Sequence, residues 1–434
     1  MGKERMLAAS EYSPRLPRKV TYERRGPFVK KRDAFPLAPV EGVQLQIADR
    51  KSTIGVYVHV PFCAASCPYC DYPHAAVPNA RAEAAEDFVK ALCTEIRRRA
   101  PRHDAPVRTI YLGGGTPSQL AARHLGEIFA ALRKHFGSAS AHEVTVEANP
   151  DDLDVAFLQS LCTQGVTRLS LGVQSFFDED LRALGRRHDA EEAARALPDA
   201  REAGFADVSL DLLFGLPGQP LARWQATLER VVQQEPAHVT LYRLTAEAGT
   251  PLGRRVAQEE TALPGAGTPA AQYERALDVL GSAGLRLYEQ THLARPGFEA
   301  RHTRRYWRHE PVLGLGPGAH SFFWNADGTA TRRANACDWR AYAEALHNGG
   351  APPHERERLA RTALAGEYLA QRLRTARGLS LERLARRYGR DLRAERGPTL
   401  DRLCAEGYLE RAGPSVRPTR AGRLRLASLT DALL

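Results

Sequence analysis

Long hydrophobic runs are absent from this sequence of 434 residues. No stretch approaches the roughly 18 to 20 consecutive apolar residues that a membrane-spanning helix needs, so no integral membrane segment is expected. The first residues also lack the hydrophobic block of a secretion signal. We therefore expect a cytoplasmic protein.

Lysine is scarce as well, with only seven residues and none after Lys134, so arginine supplies nearly all of the positive charge. The 61 Lys and Arg residues exceed the 51 Asp and Glu residues, which gives a formal net charge of +10. A genomic preference for arginine explains this excess more simply than an acidic partner does. The charges form no long basic block, so no nucleic-acid-binding surface is expected.

Cysteine is also rare, and the odd count of seven argues against a framework of disulfides. Cys93 and Cys162 fall in helical patterns and are expected to be small buried residues. Hydrophobic residues make up 43% of the chain and charged residues 26%, a balance that favours a sizeable packed core.

From residue 55 onward, short apolar runs alternate with helical patterns. Such alternation is typical of βαβ units around a parallel sheet. Six units are predicted, with strands in the segments GVYVHV, VRTIYLGG, HEVTVEAN, VTRLSLGVQ, ADVSLDLLFGL and HVTLYRLT. A closed barrel needs eight such units, so the predicted α/β fold is a partial (β/α)6 barrel.

Four regions are predicted along the chain. Residues 1–50 are rich in Pro, Arg and Lys and are expected to form a partly ordered extension. The barrel covers 51–290, and a segment expected on the substrate side covers 291–355. Residues 356–434 contain three helical patterns and a short hairpin, which together are typical of a helical, winged-helix-like module.

Three cysteines, Cys63, Cys67 and Cys70, follow the first predicted strand with C-x3-C-x2-C spacing. A zinc site would need a fourth ligand, which His59 or His74 could supply. A 4Fe-4S cluster usually takes four thiolates as well. With three thiolates, one iron stays open to bind another molecule.

This spacing at the end of a first barrel strand resembles the radical S-adenosylmethionine (SAM) superfamily. GGGTP resembles the superfamily's glycine motif, with the residues Gly113, Gly114, Gly115 and Thr116. The segments VEANP, LGVQS, LGRRH and LDLLFGLPGQ are similar, in order, to the family of oxygen-independent coproporphyrinogen III dehydrogenases and HemW-type haem chaperones. The resemblance runs from Val56 to Ser321 and continues weakly into the C-terminal module.

The resemblance implies that Tyr57, Glu147, Gln174, Arg186 and Asp211 bind SAM. Arg186 suits the carboxylate of SAM, and the two acidic side chains suit its ammonium or ribose hydroxyls. It further implies that a flavodoxin-like partner supplies one electron to the cluster. That electron would cleave SAM into methionine and a 5′-deoxyadenosyl radical, which abstracts hydrogen from a substrate.

The particular reaction stays open. Dehydrogenases of the family carry another cysteine two residues after the third, where this chain has Tyr72, as HemW-type members do. HTRRYW resembles a HemW-type motif implicated in haem binding, and GLGPGAHSF also matches that type. The candidate haem or substrate residues are His302, Tyr306, Trp307 and His320.

The resemblance therefore favours a haem- or tetrapyrrole-handling protein. The alternatives are a class C radical methyltransferase, which binds two SAM molecules rather than one and acts on planar aromatic substrates, and coproporphyrinogen III dehydrogenase itself.

Overall fold

A computed structural model of the chain describes residues 53–77, 82–100, 105–137 and 141–434. The N-terminal extension predicted for residues 1–50 lies outside the described residues. Within the described part of the chain, no helix has both the length and the apolar character needed to cross a membrane.

Strands and helices alternate through the first part of the chain. They are β1 (Ile54–Val60), β2 (Phe62–Cys63), β3 (Ala75–Ala76), α1 (Ala82–Arg99), β4 (Val107–Gly114), α2 (Ala122–Phe136), β5 (Glu143–Ala148), α3 (Val155–Thr163), β6 (Arg168–Gln174), α4 (Asp178–Ala183), α5 (Ala190–Glu202), β7 (Asp207–Phe214), α6 (Leu221–Gln233), β8 (His238–Arg243), α7 (Pro251–Ala257) and α8 (Gly267–Ser282).

The remaining elements include more short strands. They are β9 (Arg286–Glu289), β10 (His292–Ala294), α9 (Arg301–Tyr306), β11 (Val312–Leu315), β12 (His320–Trp324), β13 (Ala330–Asn335), α10 (Trp339–His347), β14 (His354–Leu359), α11 (Arg361–Leu373), β15 (Leu379–Ser380), α12 (Leu381–Tyr388), α13 (Leu392–Ala405), β16 (Leu409–Ala412), β17 (Ser415–Pro418), α14 (Arg420–Arg423) and α15 (Leu426–Leu433).

The main sheet has the strand order β14-β13-β12-β11-β1-β4-β5-β6-β7-β8-β10-β9. Strands β1, β4, β5, β6, β7 and β8 are parallel neighbours, which confirms the predicted partial barrel of six units. Strand β11 adds a seventh parallel strand beside β1. Antiparallel strands then extend both edges, β12 to β14 on one side and β10 and β9 on the other.

Residues along each barrel strand alternate between two environments, as the period of two in a strand requires. In β1, the side chains of Ile54, Val56, Val58 and Val60 are buried in the main hydrophobic core. The intervening residues, such as Tyr57, face the inside of the partial barrel, which we call the lumen. Polar side chains of the neighbouring strands line the same lumen.

The C-terminal module has its own hydrophobic core and a three-stranded sheet, β15-β17-β16. Three helices, α11 to α13, precede the hairpin of β16 and β17, as the sequence predicts. The first helical pattern was predicted from Glu357, whereas the helix begins at Arg361. The preceding residues form β14 instead, because they pair with β13 along its whole length, including Arg332 opposite Glu357.

Candidate functional site

The cysteine loop follows β1 at the C-terminal end of the barrel strands and covers residues 61–77. Its two ends are held together because β2 and β3 pair, with Cys63 opposite Ala76. Within the loop, the backbone N–H of Cys70 donates to the carbonyl of Cys67 over 3.1 Å. The loop is therefore closed at its base and tightly turned between its last two cysteines.

Two polar side chains from other strand ends contact the thiols. The hydroxyl of Thr116 lies 3.5 Å from the Cys63 sulfur, and Nη1 of Arg186 lies 3.6 Å from the Cys67 sulfur. Burial raises the pKa of Cys63 to about 11, the hydrogen bond from Thr116 lowers it, and the nearby Cys70 and Cys67 raise it further. Burial therefore favours the neutral thiol at Cys63, and binding of a metal would displace its proton.

The donor set of the loop suits a cluster with one open iron. His59 and His74 do not complete a fourth ligand position, because their ring nitrogens bond elsewhere. Nε2 of His59 lies 2.9 Å from the carbonyl oxygen of Pro73, and Nε2 of His74 lies 2.9 Å from Oγ of Ser66. Among the described residues, no three metal-binding side chains converge where one ion would sit. A four-iron cluster does not need that convergence, because each thiolate binds a different iron.

The glycine motif packs directly against this loop. Gly114 has φ +114°, and a Cβ atom there would lie 2.5 Å from the ring of His59, so only glycine is accommodated. The backbone N–H of Gly115 donates to the carbonyl of Val60 over 2.8 Å, and Thr116 follows with its hydroxyl on Cys63. Gly113 occupies the preceding position, at the end of β4.

Glu147 lies in the lumen near the end of β5, and both of its carboxylate oxygens accept hydrogen bonds. The hydroxyl of Tyr111 donates to Oε1 over 2.6 Å, and the backbone N–H of Gly114 donates to Oε2 over 3.1 Å. The carboxylate is therefore fixed between a neighbouring strand and the glycine motif.

Asp211, in β7, is the second lumen carboxylate. It accepts hydrogen bonds from Ser170 over 2.9 Å and from Ser209 over 3.0 Å. Burial raises the pKa of Asp211 to about 6, and the charge of Glu147 contributes to that rise. Among the described residues, neither carboxylate forms an ion pair with Lys, Arg or His. Two partly buried acidic groups that lack a cationic partner among the described residues make this lumen suitable for a positively charged ligand.

Arg186 follows α4, after the end of β6, and its side chain is partly buried. It donates to the side-chain oxygen of Asn149 and, over 3.0 Å, to the carbonyl of Gly172. Its Nε atom is buried and has no hydrogen-bond partner in the described part of the chain, which leaves a donor for an anionic ligand group. Gln174 ends β6 with φ +65°, a strained conformation of the kind that clusters at binding sites.

The remaining candidates divide between the two ends of the barrel. His302 and Tyr306 lie on α9, and Trp307 follows that helix directly. The segment packs against the N-terminal ends of the barrel strands, which is the end opposite the cysteine loop. His320 is exposed at the start of β12, on the side of the cysteine loop. The Cβ that Gly318 lacks would lie 3.5 Å from Pro73 of that loop.

The sequence analysis missed several residues that hold the site together, namely Thr109, Tyr111, Asn149, Ser170 and Ser209. The sequence could have indicated most of them. They lie two or four positions from a predicted site residue on the same strand, and such residues face the same side of the sheet. Tyr111 precedes Gly113 by two positions, and Ser209 precedes Asp211 by two.

Comparison with known proteins gives consistent matches. A sequence model of the radical SAM superfamily matches residues 57–231, and one of the HemN C-terminal domain matches 359–425. The haem chaperone HemW of Mycobacterium tuberculosis is 36% identical over 381 residues, which cover 88% of this chain and 94% of that protein. HemW of Bacillus subtilis is 30% identical over 370 residues, which cover 85% of this chain and 96% of that protein.

A solved structure has the same fold. Coproporphyrinogen III oxidase (HemN) from Escherichia coli, a radical SAM enzyme, matches with a TM-score of 0.75 and 23% identity, covering 90% of this chain and 92% of that one. Together with the partial barrel and the three-cysteine loop, the matches define a radical SAM protein. Within that superfamily the chain belongs to the HemW-like family. Membership implies a 4Fe-4S cluster and SAM as cofactors.

Proposed function

We propose that this protein binds haem or a related tetrapyrrole at the end of its barrel that carries the cysteine loop, next to a 4Fe-4S cluster and one SAM molecule. The observation that carries the proposal is the similarity to HemW over nearly the whole of that protein, which is named a haem chaperone. Tyr72, in place of the additional cysteine, supports the same choice over the dehydrogenase.

The residues around the lumen have separate tasks in this proposal. Cys63, Cys67 and Cys70 would hold the cluster through their three thiolates, and with no fourth protein thiolate in the loop the cluster would be open to SAM. Arg186 receives the SAM carboxylate through its unused donor, and Glu147 and Asp211 receive the ammonium and ribose hydroxyls. When bound, the cluster supplies the electron that cleaves SAM reductively.

Further residues position these groups. Thr116 and Arg186 donate to cysteine sulfurs, and such donors favour negative charge on the sulfur. Tyr57 stacks on Tyr111, which donates to Glu147. The side-chain amide of Gln174 lies beside Gly172, whose carbonyl accepts from Arg186. The electron comes from a flavodoxin-like protein in this proposal. An oxygen-sensitive cluster needs a reducing compartment, so we assign the protein to the cytoplasm.

Of the two candidate histidines, His320 is the more accessible haem ligand. It is exposed at the edge that carries the cysteine loop. His302 has 1% of its surface exposed, and both of its ring nitrogens are hydrogen-bonded within the protein. A haem iron needs an accessible imidazole nitrogen, and the exposed ring of His320 meets that need better than the buried ring of His302.

An anaerobic haem titration of the iron-reconstituted protein, followed in the Soret region, tests the proposal. We expect saturation near one haem per chain, loss of that binding in His320→Ala, and full binding in a His347→Ala control, which also removes an exposed histidine.

Two results would contradict the proposal. One is the absence of saturable haem binding. The other is S-adenosylhomocysteine formed together with an aromatic substrate other than a tetrapyrrole that carries an added one-carbon unit, which would identify a methyltransferase. Decarboxylation of coproporphyrinogen would support tetrapyrrole binding and identify the dehydrogenase as the activity.

A further inference from the structure

The segment HTRRYW closes the N-terminal end of the lumen. The backbone N–H groups of Arg301 and His302 donate to the carboxylate of Glu143, the first residue of β5, over 2.6 and 2.7 Å. Arg305 donates to the carbonyl and hydroxyl oxygens of Thr53, just before β1, over 3.0 and 2.7 Å. Helix α9 is therefore tied to the lower ends of two barrel strands, and we call it the barrel floor.

The ring of His302 projects from this floor toward the lumen. Its Nδ1 lies 3.0 Å from the hydroxyl of Thr109, and its Nε2 lies 3.2 Å from the hydroxyl of Tyr306. Its centroid is 5.3 Å from that of Tyr111, with the two rings 30° apart. His302 is thus held at both nitrogens, and its ring packs against a lumen tyrosine.

Tyr111 connects the floor to the cofactor end of the lumen. Tyr57 stacks against it with centroids 6.0 Å apart, so its ring has aromatic neighbours in both Tyr57 and His302. Its hydroxyl donates to Glu147, whose other oxygen accepts from the N–H of Gly114. A shift of the His302 ring would therefore move Tyr111 and release one oxygen of Glu147.

We propose that His302 and Tyr111 are positioning residues for the SAM site. The HTRRYW segment orients Glu147 from the N-terminal end of the lumen, through the contact of His302 with Tyr111. This inference rests on the proposed role of Glu147 in SAM binding. It assigns His302 a task that needs no contact with haem. The hydrogen bond from Tyr111 also constrains the rotation of the carboxylate, so that its remaining lone pairs face one direction.

Tyr111→Phe tests the inference, because it keeps the stacked rings and removes only the donor to Glu147. His302→Phe is the companion variant, since it keeps a ring against Tyr111 and removes both hydrogen bonds. SAM affinity is measured by titrating SAM into the reduced protein and following the electron resonance signal of the cluster. We expect about tenfold weaker SAM binding in Tyr111→Phe, with iron content and haem stoichiometry unchanged.

Tyr342→Phe is the matched control. Tyr342 is also buried and also donates to a buried carboxylate, that of Glu95 over 2.8 Å, but between α10 and α1. Wild-type SAM affinity in Tyr111→Phe would overturn the inference, as would loss of haem with unchanged SAM affinity in His302→Phe. If the electron resonance signal of the wild-type cluster does not change when SAM is added, the result would instead contradict the proposed function, namely that this protein binds SAM.

Discussion

The guanidinium of Arg186 lies 3.6 Å from the sulfur of Cys67, although 119 residues separate the two in the chain. Cys67 lies in the cysteine loop after the first barrel strand, and Arg186 follows the fourth barrel strand, β6. The contact joins the cysteine loop to the side chain that is proposed to bind the SAM carboxylate. The same guanidinium also contacts Asn149 and Gly172, so its position is fixed before a ligand arrives.

Arg186→Lys should therefore weaken SAM binding about tenfold while the cluster still assembles. Lysine keeps the charge but lacks the planar fork that reaches Asn149, Gly172 and the ligand together. SAM titration monitored by electron resonance checks this expectation. Arg187→Lys is the control, because Arg187 is half-exposed and pairs with Asp151 instead. Equal affinities in the two variants would contradict the role of Arg186.

Gly114→Ala should destabilise the protein by about 2 to 4 kcal/mol, through both strain at φ +114° and the clash with His59. Gly137→Ala is the control. That residue has φ +59° and no atom within 4 Å of an added Cβ, so about 1 kcal/mol is expected. Urea denaturation of both variants measures the difference. A similar loss of unfolding free energy in the two variants would show that the clash with His59 does not add to the destabilisation.

SAM affinity should fall as the pH drops through about 6, because protonation of Asp211 removes a negative charge from the lumen. Burial raises the pKa of Asp211 to about 6, so the carboxylate is charged above that pH and neutral below it. Asp211→Asn should bind SAM weakly at all pH values and lack this transition. The cluster signal without SAM, recorded at each pH, controls for loss of iron. A transition that persists in Asp211→Asn would assign it to another group.

The sequence predicted the barrel well because local patterns carry that information. Apolar runs indicated the six parallel strands, and motifs at their ends nominated Cys63, Glu147 and Arg186 as site residues, which remain predictions. LRLYEQTH is predicted as one short strand, and the structure places β9 there. The flanking strands β11 to β14 were missed, since Val312–Leu315 is a run of only four residues and its pairing with β1 spans the whole barrel. The contact of Tyr111 with Glu147 depends on the register of β4 against β5, which no single segment specifies.

The barrel floor was also beyond prediction from sequence. HTRRYW resembles a family motif, with Thr303 in place of that motif's Asn, and the resemblance alone suggested His302 as a haem residue. Its buried position depends on long-range contacts with Glu143 and Thr109, which lie more than 150 residues earlier in the chain. In the structure, His302 is a hydrogen-bonded residue of the barrel interior, whereas His320 is exposed.

The most direct test of the account is electron resonance of the anaerobically reconstituted and reduced protein, with and without SAM. We predict a reduced-cluster signal that changes on addition of SAM and is lost when Cys63, Cys67 and Cys70 are all replaced by Ala. Replacement of Cys93, Cys162 and Cys404, which lie on helices, should leave the signal intact. A full complement of iron and an unchanged signal without the three loop cysteines would contradict the account.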